Sequence, residues 1–252
     1  MEPLSRNFWQ ILQDFVPHLE ELRRRLLLCA IFFLAASIVS YFFARQLLDF
    51  LTAPLHRFHV ANLYFQKPFE AFVIHLKAAA FSGLILSLPV FFTQGWLFAA
   101  PGLYEKEKKI FLPLILVSVL LFLAGVFFAY ALVIPWGLGF LLSFETNNLR
   151  PMLTSGPYFS FVTTLLFAFG VLFDFPLVVV ALASLGIVPI STFVRLRRIV
   201  IVVIFIVAAV LTPSPDPVSQ LLQAVPLWLL FEISLVVGRF FEKRETPDVP
   251  AQ

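Results

Sequence analysis

Residues 15–28 read "FVPHLEELRRRLLL" and run directly into residues 29–43, "CAIFFLAASIVSYFF". Three consecutive arginines stand at the mouth of an apolar run, about Leu26–Phe43, that contains no Gly, Pro or charge. A run of this length approaches the roughly 20 residues a helix needs to cross the hydrocarbon core. It exceeds a typical signal-peptide core and lacks an A-x-A-like exit, so it reads as a spanning helix and not as a cleaved leader. The question the stretch raises is what the two glutamates ahead of the arginines, Glu20 and Glu21, are for.

The rest of the chain extends the same reading. Of its 252 residues 60% are hydrophobic and 13% charged, with 32 Phe; a soluble domain carries roughly 25% charged residues. This balance belongs to an all-α integral membrane protein. The net charge of +3 is no nucleic-acid footprint, because the basic residues cluster in loops between apolar runs. The single cysteine, Cys29, excludes an intramolecular disulfide and a Cys-cluster metal site; its position suits a small apolar filler.

Lipid offers backbone groups no partner, so each run must be a helix or a barrel strand, and the period-2 alternation of barrels is absent. Six helices are predicted, over about residues 24–45, 70–98, 109–138, 158–186, 194–211 and 219–240. The fifth and sixth are short, and Pro89, Pro113, Pro135 and Pro176 mark kinks or ends. Thirteen of the 18 Lys and Arg fall before helix 1, in the 2–3 and 4–5 loops, and in the tail. The positive-inside rule therefore predicts both termini in the cytoplasm. One membrane domain results: an amphipathic cytoplasmic segment 1–23, a bundle over 24–240 and a tail at 241–252. The two trans loops, 46–69 and 139–157, are long enough to form short capping helices.

Ionisable residues inside the spans are costly and face protein or water. Asp174 in "AFGVLFDFPLVV" has no cation in the apolar runs around it, which favours a cavity or partner contact over a structural hydrogen bond. Glu232 in "PLWLLFEISL" is a second interior acid, a snorkelling acid or a packing contact. His75 and Lys77 near the trans end of helix 2 read as interfacial anchors. In the opening stretch, Phe15, Leu19, Leu22 and Leu26 form a helical stripe that can lie on the membrane surface before the chain turns inward. Glu20 with Arg24 and Glu21 with Arg25 are i,i+4 pairs, each contributing only about 0.2–0.5 kcal/mol, too little to commit either acid.

"HLEELRRRL", "FAAPGLYEKEKK", "FAFGVLFDFP" and "LTPSPDPVSQLLQAVPLWLLFEI" resemble, in order, the signature segments of TatC, the multispanning subunit of the twin-arginine protein translocase. The resemblance covers about residues 15–242 and implies a concave six-helix bundle in a bacterial plasma (inner) membrane. It implies a receptor and scaffold, not an enzyme and without cofactor or metal, that binds twin-arginine signal peptides of folded precursors at its cytoplasmic face. Its implied partners are TatA/TatB-type single-span subunits and membrane lipid, in homo- and hetero-oligomers that export folded proteins with the proton-motive force. Carried over, the signal-peptide site comprises Glu21, Arg23 and Glu107, with Phe98 and Pro101 shaping the turn, while Glu20 keeps its salt bridge. Carboxylates suit this task because they recognise guanidinium through planar, charge-assisted forks that lysine cannot reproduce. Pro54 matches a family proline in the first trans loop. Asp174 stands where the family usually has Glu and sometimes Gln, for intramembrane partner contact. Asp216, Ser219 and Gln220 are expected in structure or partner contact, as is Glu232. Two other readings, an ion-coupled transporter using Asp174 and Lys77 and a lipid-modifying enzyme, lack a two-half repeat and a His/Asp/Ser cluster respectively.

Overall fold

The computed structural model describes residues 3–58, 63–99, 111–144, 146, 152–184, 186–211 and 217–241, with backbone alone at 3–18, 99, 111–112, 218–219, 222 and 241. The described chain is helical. Its elements are α1 (Pro3–Tyr41), α2 (Ala44–His56), α3 (Glu70–Ala99), α4 (Phe111–Phe128), a π-helical turn (Ala129–Val133), α5 (Ile134–Leu142), α6 (Ser155–Ser184), α7 (Ile190–Arg195), α8 (Arg197–Leu211) and α9 (Pro217–Phe241).

Four stretches are each long and apolar enough to cross a membrane alone: Glu70–Phe98, Pro113–Leu142, Ser155–Ser184 and Gln223–Phe240. The apolar part of α1 meets α2 at an 81° bend and supplies a fifth. The sixth apolar helix is α8, whose 15 residues extend about 22 Å at ~1.5 Å per residue, short of the ~30 Å hydrocarbon core. The protein is a multi-pass membrane protein. Of the two helices predicted to be short, α8 is; α9, with 25 residues, reaches full spanning length. The N-terminal segment also differs from expectation. No turn separates it from the first span, since α1 is one 39-residue helix. Residues 18–28, "HLEELRRRLLL", are mostly good helix formers with neither Gly nor Pro, so nothing in them ends the helix.

Contacts divide the chain into two compact units, Met1–Phe50 with Phe69–Val119 and Leu51–Pro68 with Leu120–Gln252. In the first, α1 packs along α3 through small residues. A Cβ built on Gly83 would lie 2.6 Å from the Ser37 backbone, and Cys29, Ala78 and Ala79 are buried. Close approach of small residues is how helices associate where lipid tails compete for every apolar contact.

In the second unit α6 is the hub. Val162, Leu165, Leu166 and Phe169 are almost wholly inaccessible. A Cβ at Gly125 would meet the Phe169 carbonyl oxygen at 2.3 Å, and one at Gly170 would meet the Phe122 ring at 2.6 Å. The two helices therefore exchange a glycine for a phenylalanine in both directions. Phe128 adds ring contacts to Phe169 and Phe173, with centroids 5.8 and 5.4 Å apart. Toward the other end of α6, Val179 and Ala183 join Ile190, Phe231 and Leu235 from α7 and α9 in a buried cluster.

Pro113 lies in the first turn of α4. Pro89 and Pro176 lie inside α3 and α6. Pro135 follows the π turn, in which the Ile134 N–H reaches back to the Ala129 carbonyl; the wider turn relieves the clash a proline ring makes with the carbonyl four residues earlier. Of the predicted capping helices, α2 forms. The rest of that connection is tied to the residues before α6, where the Tyr64 N–H donates to the Leu153 carbonyl at 3.1 Å and the Ser155 N–H to the Tyr64 carbonyl at 2.9 Å. The buried Tyr158 hydroxyl donates to the Leu51 carbonyl at 2.7 Å.

Gly125→Ala is expected to lower thermal stability in detergent by about 1–3 kcal/mol through overpacking. Gly95→Ala, where an added Cβ meets nothing within 4 Å, is expected to leave stability unchanged or raise it by up to ~1 kcal/mol through helix propensity. Unfolding followed by circular dichroism separates the two.

Candidate functional site

Glu21 and Arg25 are one turn apart on α1, and this i,i+4 pair forms: Arg25 Nε and Nη2 both donate to Glu21 Oε1, at 3.0 and 2.5 Å. The same guanidinium reaches α3, where Nη1 donates to Gln94 Oε1 at 3.2 Å. Gln94 thus fixes Arg25, and Arg25 fixes the Glu21 carboxylate. Glu21 keeps a third of its side chain exposed, and its second oxygen has no protein partner among the described residues. The carboxylate is held by one edge and open at the other.

Glu20, Arg23 and Arg24 are exposed. Among the described residues, Glu20 and Arg24 form no ion pair, contrary to the predicted bridge. An exposed i,i+4 pair gains little over its separated hydrated partners, whereas Arg25 gains a second partner on a neighbouring helix. The sequence reasoning missed Gln94. Its signal was a lone amide in "VFFTQGWLF" at the end of a span, a polar group that requires a partner at membrane depth. Phe98 lies one turn further along α3 and is half-buried. Pro101 and Glu107 lie outside the described residues.

The two interior acids have different surroundings. Glu232 on α9 is paired, with Arg197 Nη2 at the start of α8 donating to its Oε2 at 2.7 Å. That makes Glu232 a tie between the last two spans. Asp174 on α6 has a buried Oδ1 with no hydrogen-bond partner among the described residues. The ring contact of Phe175 with Phe231, centroids 6.3 Å apart, joins α6 to α9 at the chain neighbour of each acid. One is neutralised within the chain; the other keeps an unspent acceptor.

The remaining predicted residues are dispersed. Pro54 is buried inside α2. Gln220 Nε2 donates to the Phe205 carbonyl of α8 at 3.0 Å, capping a backbone group near the 5–6 connection. Ser219 is in α9, and Asp216 lies outside the described residues. The His75 imidazole bonds the Ala71 carbonyl of its own helix through Nδ1, at 2.7 Å, which suits an anchor. Among the described residues no cluster of three or more His, Cys, Asp or Glu is arranged to hold a metal.

Residues 17–226 match the family model for the Sec-independent protein translocase protein (TatC). Curated relatives carrying that name include those of Desulforapulum autotrophicum, 37% identical over 93% of this chain and 87% of the relative. That of Azotobacter chroococcum is 41% identical over 94% of both chains, and that of Aquifex aeolicus 37% identical over 90% and 95%. A crystal structure described as the twin-arginine translocase receptor TatC superposes with a TM-score of 0.78 at 38% identity, covering 89% of this chain and 99% of that one.

Breaking the Arg197–Glu232 tie from one side leaves a half-buried charge without its partner. Arg197→Met and Glu232→Leu are each expected to lower stability in detergent. The double variant is expected to recover part of the loss, with a coupling of about 0.5–3 kcal/mol in a double-mutant cycle.

Proposed function

The chain belongs to the TatC family, and from that premise we propose that it is the receptor and scaffold subunit of a twin-arginine translocase. In this reading it binds twin-arginine signal peptides at the cytoplasmic face of a bacterial inner membrane. It assembles with TatA/TatB-type single-span subunits and exports folded proteins at the expense of the proton-motive force. The observation that carries the reading is the match to the twin-arginine translocase receptor over 99% of that chain at 38% identity. The distribution of Lys and Arg supports cytoplasmic termini. The family's work is recognition and passage of a polypeptide, with no bond made or broken by the subunit.

The Glu21 carboxylate has the properties an arginine receptor needs. Arg25 and Gln94 hold one oxygen in place, so binding a guanidinium on the other edge requires little further ordering of the side chain. Glu107, on the loop that follows Phe98, is proposed as the second acid, and two separated carboxylates suit two arginines. Arg23, Phe98 and Pro101 are proposed to shape the surround. For Asp174, the unpartnered Oδ1 supports a role in meeting a polar group of a partner helix, with Pro54, Asp216, Ser219 and Gln220 in the framework around the connections.

Photocrosslinking from positions 21 and 107 to a precursor bearing Arg-Arg, with a Lys-Lys control, tests the site. Efficient capture of the Arg-Arg precursor alone is expected, and equal capture of both would sink the assignment. Glu21→Ala and Glu107→Ala should each weaken precursor binding about tenfold or more, the worth of one charge-assisted hydrogen bond, and the double variant should exceed either. Gln94→Leu should weaken binding less, since it frees Arg25 without removing the carboxylate. Asp174→Ala should reduce export while precursor crosslinking stays at the native level.

A further inference from the structure

The second compact unit contains a cavity of about 900 Å³ that shares no residue with the glutamate site. Its wall is formed by the residues just past α2, one face of α5 and the first turns of α9, including Arg57, Phe58, Trp136, Gly139, Phe140 and Val225. The volume is in the range of ligand-binding pockets, and the surface is almost wholly apolar. Among the described lining residues the one charge is Arg57, which is exposed and makes no ion pair with another described residue. The Ser143 hydroxyl is already spent on the Phe140 carbonyl, at 2.7 Å.

An apolar cavity of this size does not hold water well. It opens beside Trp136, whose side chain is 60% exposed, and exposed Trp at a span end marks the headgroup level of a bilayer. The cavity is narrow where α5 passes Phe58, since a Cβ on Gly139 would approach the Phe58 ring at 3.2 Å. An apolar slot in the hydrocarbon zone with a guanidinium at the headgroup zone is the complement of one molecule: an acyl chain joined to a phosphate. Arg forks match phosphate oxygens better than an ammonium does.

We infer that this cavity is a phospholipid site, in which one acyl chain fills the slot between α5 and α9 and the headgroup phosphate pairs with Arg57. Because Arg57 carries an uncompensated charge among the described residues, a net-anionic headgroup binds in preference to a zwitterionic one. With cytoplasmic termini, the lipid comes from the outer leaflet. The inference requires only that the chain be membrane-embedded, and it stands or falls independently of how precursors are recognised.

The test uses the full chain with Trp9, Trp96 and Trp228 replaced by Phe, leaving Trp136 as the sole fluorophore. It is reconstituted in phosphatidylcholine vesicles containing phosphatidylglycerol or phosphatidylcholine brominated in mid-chain. Quenching of Trp136 should report a selectivity for phosphatidylglycerol of about fivefold, the worth of one basic residue against an anionic lipid. In Arg57→Gln this selectivity should fall to about one while quenching by either lipid persists. Arg57→Lys should retain part of it, and Gly139→Leu should reduce quenching by both lipids; helical circular dichroism verifies that each variant is folded. Equal quenching by the two lipids in the native background, or undiminished selectivity in Arg57→Gln, overturns the assignment. It is also overturned if neither lipid quenches Trp136 and the residue becomes shielded only on co-reconstitution with a single-span partner, which would give the cavity to a protein helix.

Discussion

A backbone amide in hydrocarbon has no water to bond, and every irregularity in a span must be resolved by the protein itself. This constraint accounts for most of what the polar side chains in the described spans do. Ser87, Thr93 and Thr163 turn their hydroxyls back onto carbonyls four residues earlier in their own helices. The Tyr158 hydroxyl is spent on Leu51, and Gln220 on Phe205. Against that background the few buried polar atoms without a partner stand out. Asp174 Oδ1 and Gln223 Oε1 are two of them, and an acceptor buried without a partner carries a desolvation cost that the ordinary packing of a span does not explain.

Packing follows from the same setting. With lipid as apolar as leucine, association depends on how closely backbones approach. The Gly125–Phe169 and Gly170–Phe122 contacts let α4 and α6 interlock, and the Gly238–Ile190 contact does the same where α9 meets α7. A bulky residue is thus opposed by an absent side chain in each case. Such interfaces tolerate substitution poorly on the glycine side, and they leave the lipid-facing positions of the same helices free to vary.

Much of this was legible in the sequence because span length and apolarity are local properties. The second helix was expected over 70–98 and runs Glu70–Ala99; the fifth was expected over 194–211, and its apolar part is Arg197–Leu211. The family signatures named the receptor chemistry. What stayed hidden depends on register between distant segments. Glu20 and Glu21 have equivalent local partners, and about 100° of helix rotation separates them. Only Gln94, 69 positions beyond Arg25, decides which acid is fixed. Arg197, among the basic residues of the 4–5 loop, and Glu232, an interior acid of the sixth helix, have no visible relation in the sequence; the packing of α8 on α9 joins them. The unbroken course of α1 was missed for another reason: an amphipathic stripe is compatible with a surface helix and with a continuous one.

The π turn at Ala129–Val133 has a consequence for the cavity near Arg57. It adds one residue to a turn, which shifts the angular phase of everything after it by about 100° relative to a regular helix. Before the turn, Phe122 and Gly125 face α6; after it, the same continuous span presents Gly139 to Phe58. One rod therefore carries two interfaces that an ideal helix of the same sequence would hold out of alignment. Removing a single residue between Ala129 and Val133 would leave the length of the span almost unchanged and rotate Trp136, Gly139 and Phe140 away from Arg57. The span behaves as a keyed shaft, in which the π turn sets the angle between its two ends.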